Sequence, residues 1–363
     1  MKKIFLSPPH MSGKELEYIK DVFDSNYIAP VGEYINKFEE AIKNYTKVRN
    51  VLAVVNATSA IHLALRVLGV DEGDKVAVST FTFIGGVSPI LYQKAEPIFI
   101  DSDESWNMSP ELLEEALKKE KIKAVIVAHL YGQVAKIEDI KYLCKKYGAF
   151  LIEDAAESLG ATLNNKHSGT FGDFGVYSFN GNKLLTTSSG GVLISDNEEF
   201  IKKARFLSNQ AKNDALWYEH STYGYNYRMS NVLAAIGVAQ MEVVEERIKR
   251  KREIFEIYKN ELNHLGKFMP EIKNSRGNRW LTTLAFNNIN PIELVKFLAL
   301  KDIESRPVWK PMHMQMLFKN AKSYLNGVSE SLFKKGICLP SGTDMNNEEV
   351  LKVSEYVKEF AKT

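Results

Sequence analysis

Lys183 lies in SFNGNKLLTTSSGG, a polar connection between the apolar runs VYSF and VLIS, and is the only charged side chain from Phe174 through Ser195. Most lysines are solvated surface charges, but one in this setting is expected to be partly desolvated, which frees the amine as nucleophile or base. Three further candidates accompany it. Asp154 ends the run FLIED in LIEDAAESLG; a carboxylate there can bind metal, act as a base, pair with a protonated ring nitrogen, or simply cap a helix. Thr58 and Ser59 open a helical segment directly after VLAVV, where free backbone N–H groups and the positive helix end suit a phosphate, although the same residue types also serve as a plain N-cap. Phe83, in STFTFIGG, can stack on a planar ligand or belong to the core.

What must position these residues is legible from the pattern around them. VLAVV, KVAVST, EPIFID, KAVIVAHL and FLIED alternate with the helix-period segments SAIHLALRVLGV, GGVSPILYQKA, PELLEEALKKE and KIEDIKYLCKKYG. Short continuous apolar runs separated by helices predict strands buried on both faces, hence an α/β fold with a mainly parallel, doubly wound sheet. Ligands of such sheets bind beyond the carboxyl ends of the strands, where all the candidates fall. From Ser230 to about Leu262 a single long helical stretch is expected, turning charged in its second half, and the remainder reads as a smaller α+β unit with strands in RWLTTLAF and IESRPV. A large domain over 1–245 and a small C-terminal domain over 246–363 are the expected organisation.

Several function classes are excluded. Neither G-x-G-x-x-G nor G-x-x-x-x-G-K-[ST] occurs, and Gly169, Gly172 and Gly175 in GTFGDFG have the wrong spacing for a dinucleotide or P-loop site. No ligand-spaced His or carboxylate cluster accompanies Asp154, so no metal is expected. The formal net charge is only +2, with 47 Lys and Arg against 45 Asp and Glu, which offers no general field for nucleic acid or an anionic membrane. Pro8 and Pro9 interrupt the signal-like start MKKIFL, and no run approaches the roughly 18 residues of a membrane span. With just two distant cysteines, Cys144 and Cys338, the chain reads as cytoplasmic with reduced thiols.

A phosphate cradle, a carboxylate, an aromatic plate and a desolvated lysine are together what pyridoxal 5′-phosphate requires: the lysine for the Schiff base, the aspartate for the pyridinium nitrogen, the ring for one face, the helix end for the phosphate. The chain, moreover, resembles the DegT/DnrJ/EryC1/StrS sugar aminotransferases of the aspartate-aminotransferase-like fold type I. The likeness runs over nearly its whole length, through NATSAIHLAL, STFTFIGG, AHLYGQVA, IEDAAESLG, GTFGDFGVYSFNGNKLLTTSSGG, YGYNYRMSNVLAAIGVAQM, RPVWKPMH and CLPSGTDM.

The resemblance implies Lys183 as the Schiff-base lysine and Asp154 as partner of the ring nitrogen. It implies Thr58, Ser59 and Ser178 on the phosphate, Phe83 stacked on the ring, and Asn226 reaching the phosphate of a neighbouring subunit, hence a homodimer with shared sites. Two departures stand out: N-A-T-S-A where relatives often carry S-G-T-A-A, and Glu157 where many carry Gln or His, which puts Glu157 near the ring hydroxyl or the substrate. L-glutamate is the implied donor and pyridoxamine 5′-phosphate the form that carries the amine. SPPHMSGKELEYI, NGNK, NRWL and ICLPSGT look most like the enzymes that aminate C4 of UDP-4-keto-6-deoxy-N-acetylglucosamine, the bacillosamine precursor route, with other keto-sugar nucleotides as the alternative. Arg228, Arg306, Trp309 and His313 are candidate contacts to the sugar nucleotide, against an intersubunit ion pair and a packed loop. The related sugar dehydratases place a histidine at the lysine position, and Lys183 argues against that reading; the intact set of Lys183, Asp154 and Phe83 argues against a non-catalytic binding protein.

Overall fold

The computed structural model describes residues 3–362. Eight strands form its main sheet: β1 (Asn50–Val54), β2 (Lys75–Ser79), β3 (Glu96–Ile100), β4 (Ile122–Ala128), β5 (Phe150–Asp154), β6 (Phe174–Ser178), β7 (Gly191–Ser195) and β8 (Ser323–Tyr324). Their order is β1-β7-β6-β5-β4-β2-β3-β8. Every neighbouring pair is parallel except those made by β7, which runs antiparallel to both β1 and β6. The helices Ala57–Val67, Ser88–Tyr92, Pro110–Lys119 and Ile137–Tyr147 follow β1 to β4 in turn, as the alternating pattern predicts. The apolar runs are buried on both faces: Val76, Ala124, Ile152 and Val176 are enclosed on one and Ala77, Val125 and Leu151 on the other, each such side chain contributing about 1.5–3 kcal/mol of burial free energy, or less for alanine.

The register levels the strand ends that matter. Ala128 lies opposite Asp154, and Asp154 opposite Val176. β6 and β7 are therefore the two arms of a hairpin whose connection, 179–190, rises from the carboxyl edge of the sheet and carries Lys183.

Behind the main sheet, the expected single long helix is two, Asn231–Met241 and Val244–Leu262, broken at Glu242 and Val243. The first is almost uniformly apolar and buried, the second amphipathic and charged, so each packs on a different surface. A second, antiparallel sheet orders Gly266–Phe268, Thr282–Phe286, Gly336–Leu339 and Arg306–Pro307. The strand expected in IESRPV shrinks to its last polar–proline pair. The boundary expected after residue 245 falls inside a helix. Segments cross it in both directions: Ser323–Tyr324 returns to pair with β3, Ser275–Arg276 pairs with Thr162–Leu163, and Ile4 bridges Ile303. No helix among the described residues is long and apolar enough to cross a membrane.

Candidate active site

One cavity of about 320 Å³ opens at the carboxyl edge of β1, β2, β4, β5 and β6 and is lined by Thr58, Phe83, Asp154, Glu157, Ser178, Lys183 and Trp309 among others. Its floor begins at helix Ala57–Val67. The N-cap is Asn56, whose Oδ1 accepts the Ser59 N–H at 2.8 Å. That leaves the Ala57 and Thr58 N–H groups at the mouth without intrahelical acceptors, beside the Thr58 and Ser178 hydroxyls. Ser59 does not line the cavity; it is buried in the first turn of the helix.

Asp154 ends β5 and takes the Ala156 N–H on Oδ1 at 3.2 Å. Its Oδ2 lies against Gly86, where a Cβ would sit only 2.6 Å away; only a residue without a side chain lets the wall come this close. Burial pushes the Asp154 carboxyl above its ordinary range, partly offset by the Ala156 N–H and then by Lys183. The preceding Glu153 turns to the other face. Its oxygens accept from the N–H groups of Gly169, Phe171 and Gly172 and from His129 Nε2. The GTFGDFG glycines thus wrap an internal carboxylate, and the His129 ring, held on Nδ1 by the Ala135 N–H, buttresses the strand end under Asp154.

Lys183 is only 12% exposed and its Nζ stands 3.5 Å from Glu157 Oε1. On another side the same nitrogen lies 4.1 Å from the centroid of the Trp280 ring. Glu157 Oε2 accepts the Tyr131 N–H at 2.7 Å, and burial raises this carboxyl too, offset first by Lys183. Trp280, Tyr131, Trp309 and Phe83 form an aromatic row along the wall, with centroids 6.4, 6.1 and 5.5 Å apart. Trp309 has a buried Nε1–H with no hydrogen-bond partner among the described residues.

The remaining predicted residues lie elsewhere in the single chain. Arg306 pairs with Glu304 at 3.0 Å and lines a neighbouring 610 Å³ chamber that shares Asn182, Trp280 and Trp309 with the first. His313 is outside both, its Nδ1 bonded to Thr80 Oγ1 at 2.7 Å. Asn226 is exposed and bridges Asn209, while Arg228 bridges Val54 and lines a separate pocket with Arg205. Sequence reasoning did not single out Asn56, His129 or Trp280. The strand-end rule covers His129 and the N-cap preference covers Asn56; nothing local marks Trp280.

The geometry fits pyridoxal 5′-phosphate on the chain's own terms: a carboxylate oxygen without a hydrogen-bond partner among the described residues, a glycine-lined approach to it, free N–H groups at a helix end, and an enclosed primary amine between them.

Comparison with known proteins agrees. The model of the DegT/DnrJ/EryC1/StrS aminotransferase family matches residues 9–358. The Bacillus subtilis (strain 168) protein EpsN, whose name assigns it provisionally to the pyridoxal phosphate-dependent aminotransferases, is 53% identical over 98% of this chain and 95% of its own. GDP-perosamine synthase of Escherichia coli O157:H7 is 39% identical over 99% of each chain. Among solved structures, the aminotransferase TlmJ of Streptoalloteichus hindustanus superposes with a TM-score of 0.94 at 25% identity over 99% of both chains. A DegT DnrJ EryC1 StrS aminotransferase from Brucella abortus superposes with 0.90 at 27% identity over 96% of this chain and 95% of that one. The chain belongs to the DegT/DnrJ/EryC1/StrS aminotransferase family and is a pyridoxal 5′-phosphate-dependent sugar aminotransferase of fold type I.

Proposed function

We propose that the chain moves the amino group of L-glutamate to the C4 keto group of a UDP-linked 4-keto-6-deoxy-N-acetylhexosamine, yielding the 4-amino sugar nucleotide and 2-oxoglutarate. The observation that carries the catalytic part is the seat of Lys183, an enclosed amine facing Glu157 at 3.5 Å in the cavity that also holds Asp154. The UDP-sugar part rests on the resemblance of SPPHMSGKELEYI, NGNK, NRWL and ICLPSGT to the bacillosamine-route enzymes. A GDP-linked keto-sugar is the second reading, favoured by relatives named GDP-perosamine synthase at 39% and 38% identity.

Bound pyridoxal 5′-phosphate supplies an aldehyde that links to amines and a ring that takes up the electrons of a broken C–H bond. The chain's residues do the rest. Lys183 is the covalent tether and, once released, the base and acid whose Nζ takes and returns a proton. Asp154 keeps the ring nitrogen protonated, Phe83 covers a ring face, and Thr58, Ser178 and the helix end hold the phosphate, with Ser59 behind them. Glu157 orients Lys183 and faces the sugar, and the unpartnered Trp309 N–H serves a substrate oxygen. Asn226 and Arg228, turned away from the cavity of their own chain, suit a homodimer in which each subunit completes the other's site, with Arg306 and His313 at the outer sugar-nucleotide path. The setting is cytoplasmic, where nucleotide sugars are made.

Incubation with L-glutamate and a panel of keto-sugar nucleotides, with NMR of the product, locates the new amine. Conversion of the UDP 4-keto sugar is expected, conversion of a GDP sugar alone selects the second reading, and no conversion of any sugar refutes both. Lys183→Ala should abolish turnover, and wild-type rates in that variant would remove Lys183 from its role.

A further inference from the structure

Trp280 belongs to none of the roles above, yet it is tied to the fold at three points. Its side chain is 1% exposed. Its indole N–H donates to the Asn182 carbonyl at 2.8 Å, its backbone N–H to Asn278 Oδ1 at 2.8 Å, and its carbonyl accepts from Lys251 Nζ at 3.0 Å. Asn278 in turn donates to the carbonyls of Glu157 and Leu159. The ring and the Glu157 carboxylate are therefore tied to one frame, and Lys183 Nζ lies between them, 4.1 Å from the ring centroid and 3.5 Å from the carboxylate. Because the indole N–H binds the residue immediately before Lys183, ring and lysine backbone keep a fixed offset.

An indole face is the strongest aromatic partner of an ammonium, most of all when water is excluded. We propose that Trp280 is a positioning residue for proton transfer: its ring receives Lys183 Nζ after the lysine is released and holds it, as an ammonium, in line for return of the proton. Nζ would take the proton from the donor's α carbon and later return it, the electron pair of the broken C–H bond being what the bound cofactor would accommodate. Glu157 provides the opposite wall, so the amine swings in one plane instead of wandering. The inference rests on the reading of Lys183 as the cofactor-bearing lysine.

The test compares wild type, Trp280→Phe and Trp280→Leu, loaded with pyridoxal 5′-phosphate, in single turnovers with L-glutamate and its α-deuterated form. Borohydride trapping, peptide mass spectrometry and melting temperature are measured on the same samples. Trp280→Leu should slow the half-reaction about tenfold and raise the deuterium effect at unchanged cofactor stoichiometry, with melting lowered by the lost packing, and Trp280→Phe, which keeps a weaker ring face, should fall between. An unchanged rate in Trp280→Leu, or a loss matched by lost cofactor with no change in isotope effect, overturns the proposal. Trapping on a lysine other than Lys183 in wild type overturns the reading beneath it as well. Should Trp280→Leu not fold, fluorinated tryptophan placed at position 280 alone, which keeps the shape and weakens the ring face, replaces it: a stepwise rise in isotope effect with fluorination supports the role and a flat response refutes it.

Discussion

Lys251→Met tests how the fold handles the buried cation behind the cavity. Lys251 is 2% exposed, and its Nζ lies 3.0 Å from Ser7 Oγ, 3.0 Å from the Trp280 carbonyl and 2.6 Å from the Ser341 carbonyl. Burial lowers its pKa from 10.5 to about 7, with Asp344 pulling weakly the other way. Both protonation states can satisfy this shell. The ammonium donates to all three oxygens; the amine donates to the two carbonyls and accepts from the Ser7 hydroxyl. Losing the proton therefore sacrifices no hydrogen bond.

The sign follows from proton counting. Between about 7 and 10.5 the unfolded chain carries a proton on this lysine that the folded chain does not, so folding stability rises with pH through that window. At about 1.4 kcal/mol per unit, the ceiling on the gain is ~5 kcal/mol. Met at this position has no proton to count and leaves the carbonyls and Ser7 unpaired, a penalty of about 1–3 kcal/mol per group that does not vary with pH. Denaturant unfolding of cofactor-free wild type and Lys251→Met across the window should give a stability difference that moves steadily in favour of the wild type as pH rises, by several kcal/mol. A difference that stays flat would refute the argument, because it would mean that Lys251 keeps its ordinary proton affinity in the fold.

Other consequences are as direct. Asp154 is raised by burial, so the folded chain holds its proton more tightly than the unfolded one and the ionised carboxylate costs stability above that range; Asp154→Asn should melt higher in the cofactor-free state while losing about 100-fold or more in turnover, read by calorimetry and product assay. Gly132 has φ +88, and a Cβ there would overlap Asn278 Oδ1, so Gly132→Ala should cost about 3 kcal/mol in denaturant unfolding and loosen the frame shared by Glu157 and Trp280. If sites are shared between subunits, mixing inactive Lys183→Ala with inactive Asn226→Ala should restore about a quarter of wild-type activity, since half of the random dimers carry one intact site; no recovery on verified heterodimers would place Asn226 outside the site.

What the residues disclose on their own follows from how far each contact reaches along the chain. The strands β1 to β5 and the helices between them were legible because burial on both faces and helical period are written within single segments, and Lys183, Asp154, Thr58 and Phe83 followed because strand ends are where such a sheet presents its ligands. The antiparallel course of β7 was not, since an apolar run of five residues reads the same in either direction. Nor was the break at Glu242 and Val243, where no Gly or Pro interrupts the pattern and only the change of packing surface divides the helix.

Trp280 marks the outer limit of such reading. Its bond to Asn182 spans 98 residues, Asn278 reaches Glu157 across 121, and the Trp309 backbone N–H reaches Tyr131 across 178. None of these pairs leaves a periodicity or a spacing; they exist because the segment entering strand Thr282–Phe286 and the stretch after Arg306–Pro307 are folded back over the carboxyl edge of the main sheet. A lysine in a polar connection identifies where the amine is. How that amine is held is decided by chain that arrives a hundred residues later, and for that reason the lysine proposed as catalytic could be named from its neighbours while its two walls, Glu157 and Trp280, acquire their common frame only in three dimensions.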